Sequence, residues 1–454
     1  MKKVIVVVAL ALAVPAFAKI EMGAPFTDGV VLQRGRAVPV WGVAEPGRKV
    51  TVSFAGQTKT AVVSGDGMWR VDLDPLQASK DSRTLTITSP SGKTVLSDVV
   101  VGEVWLCSGQ SNLEMAMGMD QPRYGDGIGR MVAQVTNKPF VRYLKAPDRD
   151  NGWHALTPEF LTSDWRSALA VHYALELYAQ LDVPIGVAVA AVVGSGIDRW
   201  IPDNGEKADL YRSRVAPFAP YAVRGVLWYQ GETDIALGAA YTGRLHRLYD
   251  GWRAAFKGAP LSFYYVQIAP YDYSPEGAYP AFAQAQARFA DEEPNAALTV
   301  ISDIGNFRDI HPNNKWLVAK RLALHALRRD YGYSNVEDDS PALDSAEICC
   351  SNRVRLVFAH AKSLYVYNAE RTSDASFELA GTNGVWRRAP IVNYPKVNWP
   401  QYGTLGTNVV ELIAEEVLEP VRVRHLWRRP YAGCLFNQVN LPTGAFSADI
   451  PYGQ

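Results

Sequence analysis

Five nearly uninterrupted apolar stretches constrain the fold of this sequence more than any other feature: Val99–Leu106, Ile185–Val193, Val223–Tyr229, Ser262–Ile268 and Ala297–Ile301. Runs of this kind read as strands buried on both faces of a parallel sheet, since half-exposed antiparallel strands alternate in polarity. Between them lie segments of helical period: 164–181 with Ser163 as the predicted N-cap, 241–256 and 282–292. A fourth, 315–329, follows the last run. Strand alternating with helix predicts an open α/β sheet joined by right-handed crossovers.

The flanks have a different texture. Short alternating runs at 38–41, 49–54, 59–63, 68–73 and 84–88 are separated by Pro46-Gly47, Gly65-Asp66-Gly67 and Ser91-Gly92. That spacing predicts a small β-sandwich. After Tyr333 β texture returns at 353–358, 363–368, 409–413 and 421–426. The predicted organisation is a β domain over 19–98, an α/β domain over 99–335 and a C-terminal β segment over 336–454. The last segment either forms its own sandwich or completes the first. Residues 1–18 read as a secretory signal: Lys2-Lys3, an apolar run Val4–Val14, then Ala16-Phe17-Ala18 as a cleavage site. The expectation is an exported protein, periplasmic in a bacterium, with the mature chain starting near Lys19.

Basic and acidic residues number 46 each, which predicts no nucleic-acid partner and no anionic-membrane partner. No later apolar stretch suggests membrane insertion. Four cysteines are present: Cys107 reads as a packed free thiol, and one bridge from Cys349 or Cys350 to Cys434 is compatible with export. There is no CxxC pair and no HExxH, so no metal site is expected.

In open α/β sheets the site forms beyond the carboxyl ends of the strands. The first apolar run ends in Ser108-Gly109-Gln110-Ser111-Asn112 and the second in Gly194-Ser195-Gly196-Ile197-Asp198. The third ends in Gln230-Gly231-Glu232-Thr233-Asp234 and the fifth in Ser302-Asp303, with Asp309-Ile310-His311-Pro312 just after. A hydroxyl, flexible glycines, an amide and a carboxylate–imidazole pair thus converge on one sheet edge, which is what acyl transfer requires. Ser111 is the predicted nucleophile, at the opening of a helix. His311 is the predicted base, since the other six histidines fall in helices, β segments or an irregular stretch. The backbone N–H groups of Ser111 and Gly194 and the Gln230 side-chain amide are the predicted oxyanion donors. Glu232 reads as a scaffold carboxylate beside the substrate or as a general acid. A paired-carboxylate glycosidase using Glu232 with Asp303 or Asp309 would leave Ser111 and Gln230 without a task.

These blocks, with Val31-Leu32-Gln33-Arg34, Val40-Trp41-Gly42, Trp228-Tyr229-Gln230-Gly231-Glu232 and Lys315, resemble the sialate O-acetylesterase family of the SGNH hydrolase superfamily. The resemblance implies an SGNH three-layer α/β/α core with parallel sheet, flanked by sandwich-like β segments. It also implies cofactor-free hydrolysis of O-acetyl esters on sugars, with Ser111 as nucleophile, His311 as base, and Gly194 and Gln230 at oxyanion positions. Asp309 lies two residues before His311 where many relatives place the acid three before, so it is either the third member of a triad or a bystander to a Ser–His dyad. Asp198 stands where relatives commonly carry Glu, and Ala283-Gln284-Ala285-Gln286 replaces an Arg-Glu-Ala-Gln block. Acetylated plant polysaccharide such as xylan or xyloglucan competes with sialic acid esters as substrate. A non-catalytic carbohydrate-binding protein of the same fold and an SGNH lipase or thioesterase are the alternatives of other classes.

Overall fold

The computed structural model describes residues 19–117, 139–146, 152–163, 166–257, 260–305, 307–350, 352–367, 377–393, 402–429 and 435–451. The predicted signal segment and Cys434 lie outside the described residues; Cys107, Cys349 and Cys350 are free thiols.

The predicted runs form a parallel sheet whose spatial order is Val141–Lys145, Ile185–Ala191, Gly92–Gly109, Gly225–Tyr229, Ser262–Val266 and Ala296–Thr299. Trp153–Ala155 adds an antiparallel edge. The first of these strands in the chain lies in the middle, with later strands on both sides. Strand order therefore reverses beside Gly109, and that reversal opens a crevice at the carboxyl ends. Alternate residues of each strand enter different cores, as a period of two dictates. Val104, Leu106, Val226 and Trp228 pack towards helices Ala240–Ala255 and Ala278–Glu292. Trp105, Cys107, Leu227 and Tyr229 pack towards helices Ala168–Leu181 and Lys315–Arg329. The sheet thus has helices on both faces.

Three details differ from the sequence expectation. Val141–Lys145 is a sixth parallel strand, hidden in the sequence because Arg142 interrupts its apolar run. The Arg142 side chain is buried and donates to the carbonyls of Gly29 and Asp98. The helix predicted from residue 164 starts at Ala168 with Ser167, not Ser163, as its cap; Ser167 Oγ accepts from Ala170 N–H at 3.1 Å. Ser163 instead ends a short helix, Pro158–Ser163. The 18-residue strand Gly92–Gly109 runs through residue 99 without a break: its first half pairs with Ser79–Ser89 of the N-terminal β region and its second half enters the α/β sheet. Glu103, fully buried in that strand, accepts from Gln33 at 2.8 Å and pairs with Arg34 and Arg224, fastening the two regions together.

The described C-terminal residues form three small antiparallel sheets around a separate core that includes Leu356, Phe358, Val366, Phe377 and Val410. They are tied to the α/β region by hydrogen bonds from Ser302 Oγ to Thr443 O and from Gln284 Nε2 to Ser447 O.

Candidate active site

The strand Gly92–Gly109 must stop and turn at the sheet edge, and Gly109 makes that possible. Its φ is +144°, and a Cβ there would sit 2.1 Å from Tyr229 O, on the backbone of the neighbouring strand. Gly109→Ala is accordingly expected to lower stability by about 3 kcal/mol through strand separation at this edge, read as a drop in the unfolding midpoint. An unchanged midpoint would contradict the close approach. Gln110 N–H still bonds Tyr229 O at 3.0 Å, and the next residue opens the short helix Ser111–Glu114. Ser108 is fully buried and donates to Ala190 O at 2.6 Å, so Ser111 is the hydroxyl of this turn that reaches the crevice.

His311, 200 residues away, meets it: Nε2 lies 3.0 Å from Ser111 Oγ. The loop bearing His311 is held from both sides. Asn112 Nδ2 donates to Ile310 O at 3.1 Å and Lys315 Nζ donates to Pro312 O at 2.7 Å, so the carbonyls before and after the histidine are both fixed. Lys315 Nζ also donates to Asn112 Oδ1 at 2.7 Å, and Asn112 Nδ2 donates to Glu232 Oε1 at 2.5 Å. Lys315 is 0% exposed and Glu232 7%, so a buried cation and a buried carboxylate sit on either side of the asparagine next to Ser111. Glu232 thus accepts from the asparagine beside Ser111, the contact expected of the scaffold carboxylate among the two roles the sequence left open. The sequence pattern assigns no role to Asn112 or Lys315. Lys315 carried a signal, since a cation in the first turn of a helix opposes the macrodipole and needs a local partner.

One expectation is corrected, and the open question of Asp309 is narrowed. The Gln230 amide is not available as an oxyanion donor. Its Nε2 faces three acceptors, Gln110 Oε1 and Ser195 O at 3.1 Å and Asp234 Oδ2 at 2.7 Å, while its Oε1 accepts from Tyr241 Oη at 2.7 Å. A primary amide has two N–H bonds, and both are used inside the protein. Asp309 does not hydrogen-bond the His311 ring. Its Oδ1 accepts from the His311 backbone N–H at 2.9 Å and lies 3.9 Å from Nδ1, because a carboxylate two residues earlier closes readily on that backbone group.

Gly194 stands exposed in the loop after Ile185–Ala191, at φ +66°, where a Cβ would meet nothing within 4 Å. The loop is pinned on both sides of it: Val193 N–H donates to Glu114 Oε2 at 3.0 Å, and Ile197 N–H to Asp234 Oδ2 at 2.6 Å. Asp234 therefore braces both Gln230 and this loop, and its pKa is raised by burial.

Residues 101–317, the segment that holds every residue of this site, match the family described as carbohydrate esterase, sialic acid-specific acetylesterase. Over that segment, which is just under half of its length, the chain is similar to that family. The human sialate O-acetylesterase is 26% identical, over 71% of this chain and 73% of its own length. The rat sialate O-acetylesterase is 23% identical over 91% of each chain. Among solved structures, a carbohydrate acetylesterase from Xanthomonas citri is 28% identical and superposes with a TM-score of 0.82, over 95% of this chain and 100% of its own. The protein is a carboxylic ester hydrolase.

The electrostatics of this esterase site favour a neutral histidine. Burial and then the Lys315 charge hold His311 below its usual 6.5, while Asp309 opposes them. Burial pushes Glu232 up from 4.5, moderated by its hydrogen bonds and by Lys315. Among the described residues, His325, Asp338 and Asp339 bring three potential metal-ligand atoms together. Arg329 already fills the cationic position there, 2.7 Å from Asp338 and 2.6 Å from Asp339.

Proposed function

We propose that this protein is an exported esterase that removes O-acetyl groups from sugars through an acetyl-enzyme on Ser111. The Ser111–His311 contact at the strand-order reversal carries the reading. In the proposed cycle Ser111 Oγ attacks the acetyl carbonyl while His311 Nε2 takes its proton. The oxyanion accepts from the backbone N–H groups of Ser111, at the start of its helix, and of Gly194. His311 returns the proton to the departing sugar hydroxyl, then activates a water that releases acetate and restores the serine. Asn112 and Lys315 supply the orientation that a ring-bonded carboxylate gives elsewhere, so the pair works as a dyad. The fold name that accompanies this reading is the SGNH core with flanking sandwich-like β segments, and residues 1–18 serve as the export signal. The names of the curated relatives favour sialic acid esters, and acetylated plant polysaccharide is the alternative.

Peptide mapping after brief exposure to an aryl acetate tests the intermediate, with acetylation expected on the peptide containing Ser111. Acetate release from acetylated glycans tests the substrate class. Acetylation elsewhere, or no release from any glycan, would refute the corresponding step.

Asp309→Asn separates dyad from triad. Loss of a ring-bonded aspartate in a Ser–His–Asp triad costs about 10⁴-fold in kcat; here the expected loss is below about 10-fold, because the carboxylate bonds the backbone. The acid limb of kcat/KM gives a second check. Nε2 must be unprotonated to act, so activity is present above the His311 pKa and lost as pH falls through it. The midpoint is therefore expected below 6.5, and lower still in Asp309→Asn, which removes the one charge that raises it. A midpoint above 6.5 would contradict this environment.

A further inference from the structure

The C-terminal sheet carries an excess of guanidinium groups organised around one carboxylate. Glu378, in the strand Phe377–Ala380, is 1% exposed and lies in register with Arg388 on one neighbouring strand and Arg424 on the other. Arg424 Nε lies 2.7 Å from Glu378 Oε2, and Arg428 Nε lies 2.6 Å from Glu378 Oε1. The Arg424 guanidinium donates its Nε to Glu378 and is fixed in orientation, while the ion-paired Arg428 keeps its terminal N–H groups as donors for another acceptor. Arg388, in register with the same carboxylate, is exposed. Arg424 and Arg428 thus share one buried carboxylate, and the exposed Arg388 lies beside it in cross-strand register, so guanidiniums outnumber the carboxylate that serves them.

These groups line a cleft of about 620 Å³ together with Glu276, Gly277, Trp427 and Arg429. Trp427 supplies an aromatic surface beside the arginines, with Arg424 6.0 Å from its ring centre. The cleft is linked to the catalytic loop by one residue. Asp272 pairs with Arg429 at 2.9 Å, and its backbone N–H donates to Phe307 O at 3.1 Å, four residues before His311.

Resting on the acetyl-sugar reading of the Ser111 site, we propose that this cleft is a subsite for the carboxylate of an acidic sugar residue in the same glycan, separate from the residue that carries the acetyl ester. The forked donors of Arg388 and Arg428 match a planar carboxylate, and Trp427 offers a face for a sugar ring. The overall charge balance conceals this local preference, since the excess is confined to one sheet.

The test is calorimetric titration of the whole protein with trigalacturonate and with its methyl ester. The acid is expected to bind and the ester not. Affinity for the acid should fall about tenfold in Arg388→Gln, whose exposed position makes a folding defect avoidable, and in Arg428→Gln, with native circular dichroism in both. It should also fall with added salt, because the guanidiniums are solvent-accessible. Equal binding of acid and ester, no binding of either, or unchanged affinity in both variants overturns the subsite. Turnover of an aryl acetate by the unaltered chain requires Ser111 but no sugar carboxylate. Its absence would indict the esterase reading, and its presence without trigalacturonate binding would indict the subsite alone.

Discussion

Ser111→Ala is expected to lower kcat for an aryl acetate by about 10⁴-fold or more while leaving the unfolding midpoint close to that of the parent. The size follows from the arrangement. Ser111 Oγ is the hydroxyl within 3.0 Å of His311 Nε2, whereas Ser108 is buried and bonded to Ala190 O, so no neighbouring hydroxyl can take over. The small effect on stability follows because Ser111 is partly exposed and its side chain supports no other part of the turn, which Gly109 and Asn112 hold. His311→Ala should cost a similar factor, and the double variant little more than either alone, since nucleophile and base act in the same step. Additive losses would mean that the two residues act independently, and retention of most activity in Ser111→Ala would remove it from the mechanism.

The α/β architecture was legible because strands buried on both faces must be apolar throughout, which is why Gly225–Tyr229 and Ile185–Ala191 stood out. Val141–Lys145 was not, because Arg142 buries its charge by donating to carbonyls of a distant segment, and sequence periodicity registers only the charge. The Ser111–His311 meeting was legible because polar clusters followed the apolar runs. The engagement of Gln230 was not, since its three acceptors come from residues 110, 195 and 234, brought together only by the fold. The role of Asp309 stayed open for a simpler reason: spacing puts a carboxylate near an imidazole without saying whether it bonds the ring or the backbone. The arginine cleft was equally hidden, because cross-strand register, not sequence proximity, places Arg388 and Arg424 on either side of Glu378.

Lys315→Met is expected to be the most damaging substitution outside the reacting pair, lowering stability by about 3–5 kcal/mol and kcat by about 10²-fold. Methionine fills much of the same volume, so the loss comes from polar groups. Pro312 O and Asn112 Oδ1 lose their donor, and Glu232, already 7% exposed with a raised pKa, loses its nearest cation. Release of Pro312 O frees one side of the histidine loop, so Nε2 no longer stays at 3.0 Å from Ser111 Oγ. The pH dependence identifies the cause. A carboxyl whose folded pKa is raised binds its proton more tightly in the folded state. Stability therefore falls as pH rises from the unfolded value towards the folded one, and the full penalty applies above it. Without Lys315 the folded pKa of Glu232 rises further, so the variant should be weakest near neutrality and recover part of its deficit on acidification. Lys315→Met combined with Glu232→Gln removes the buried charge, and it should regain stability while kcat stays low because Pro312 O is still unheld. A double variant no more stable than Lys315→Met would show that the buried charge is not what the lysine offsets, and a recovered kcat would show that the carbonyl contact does not position His311.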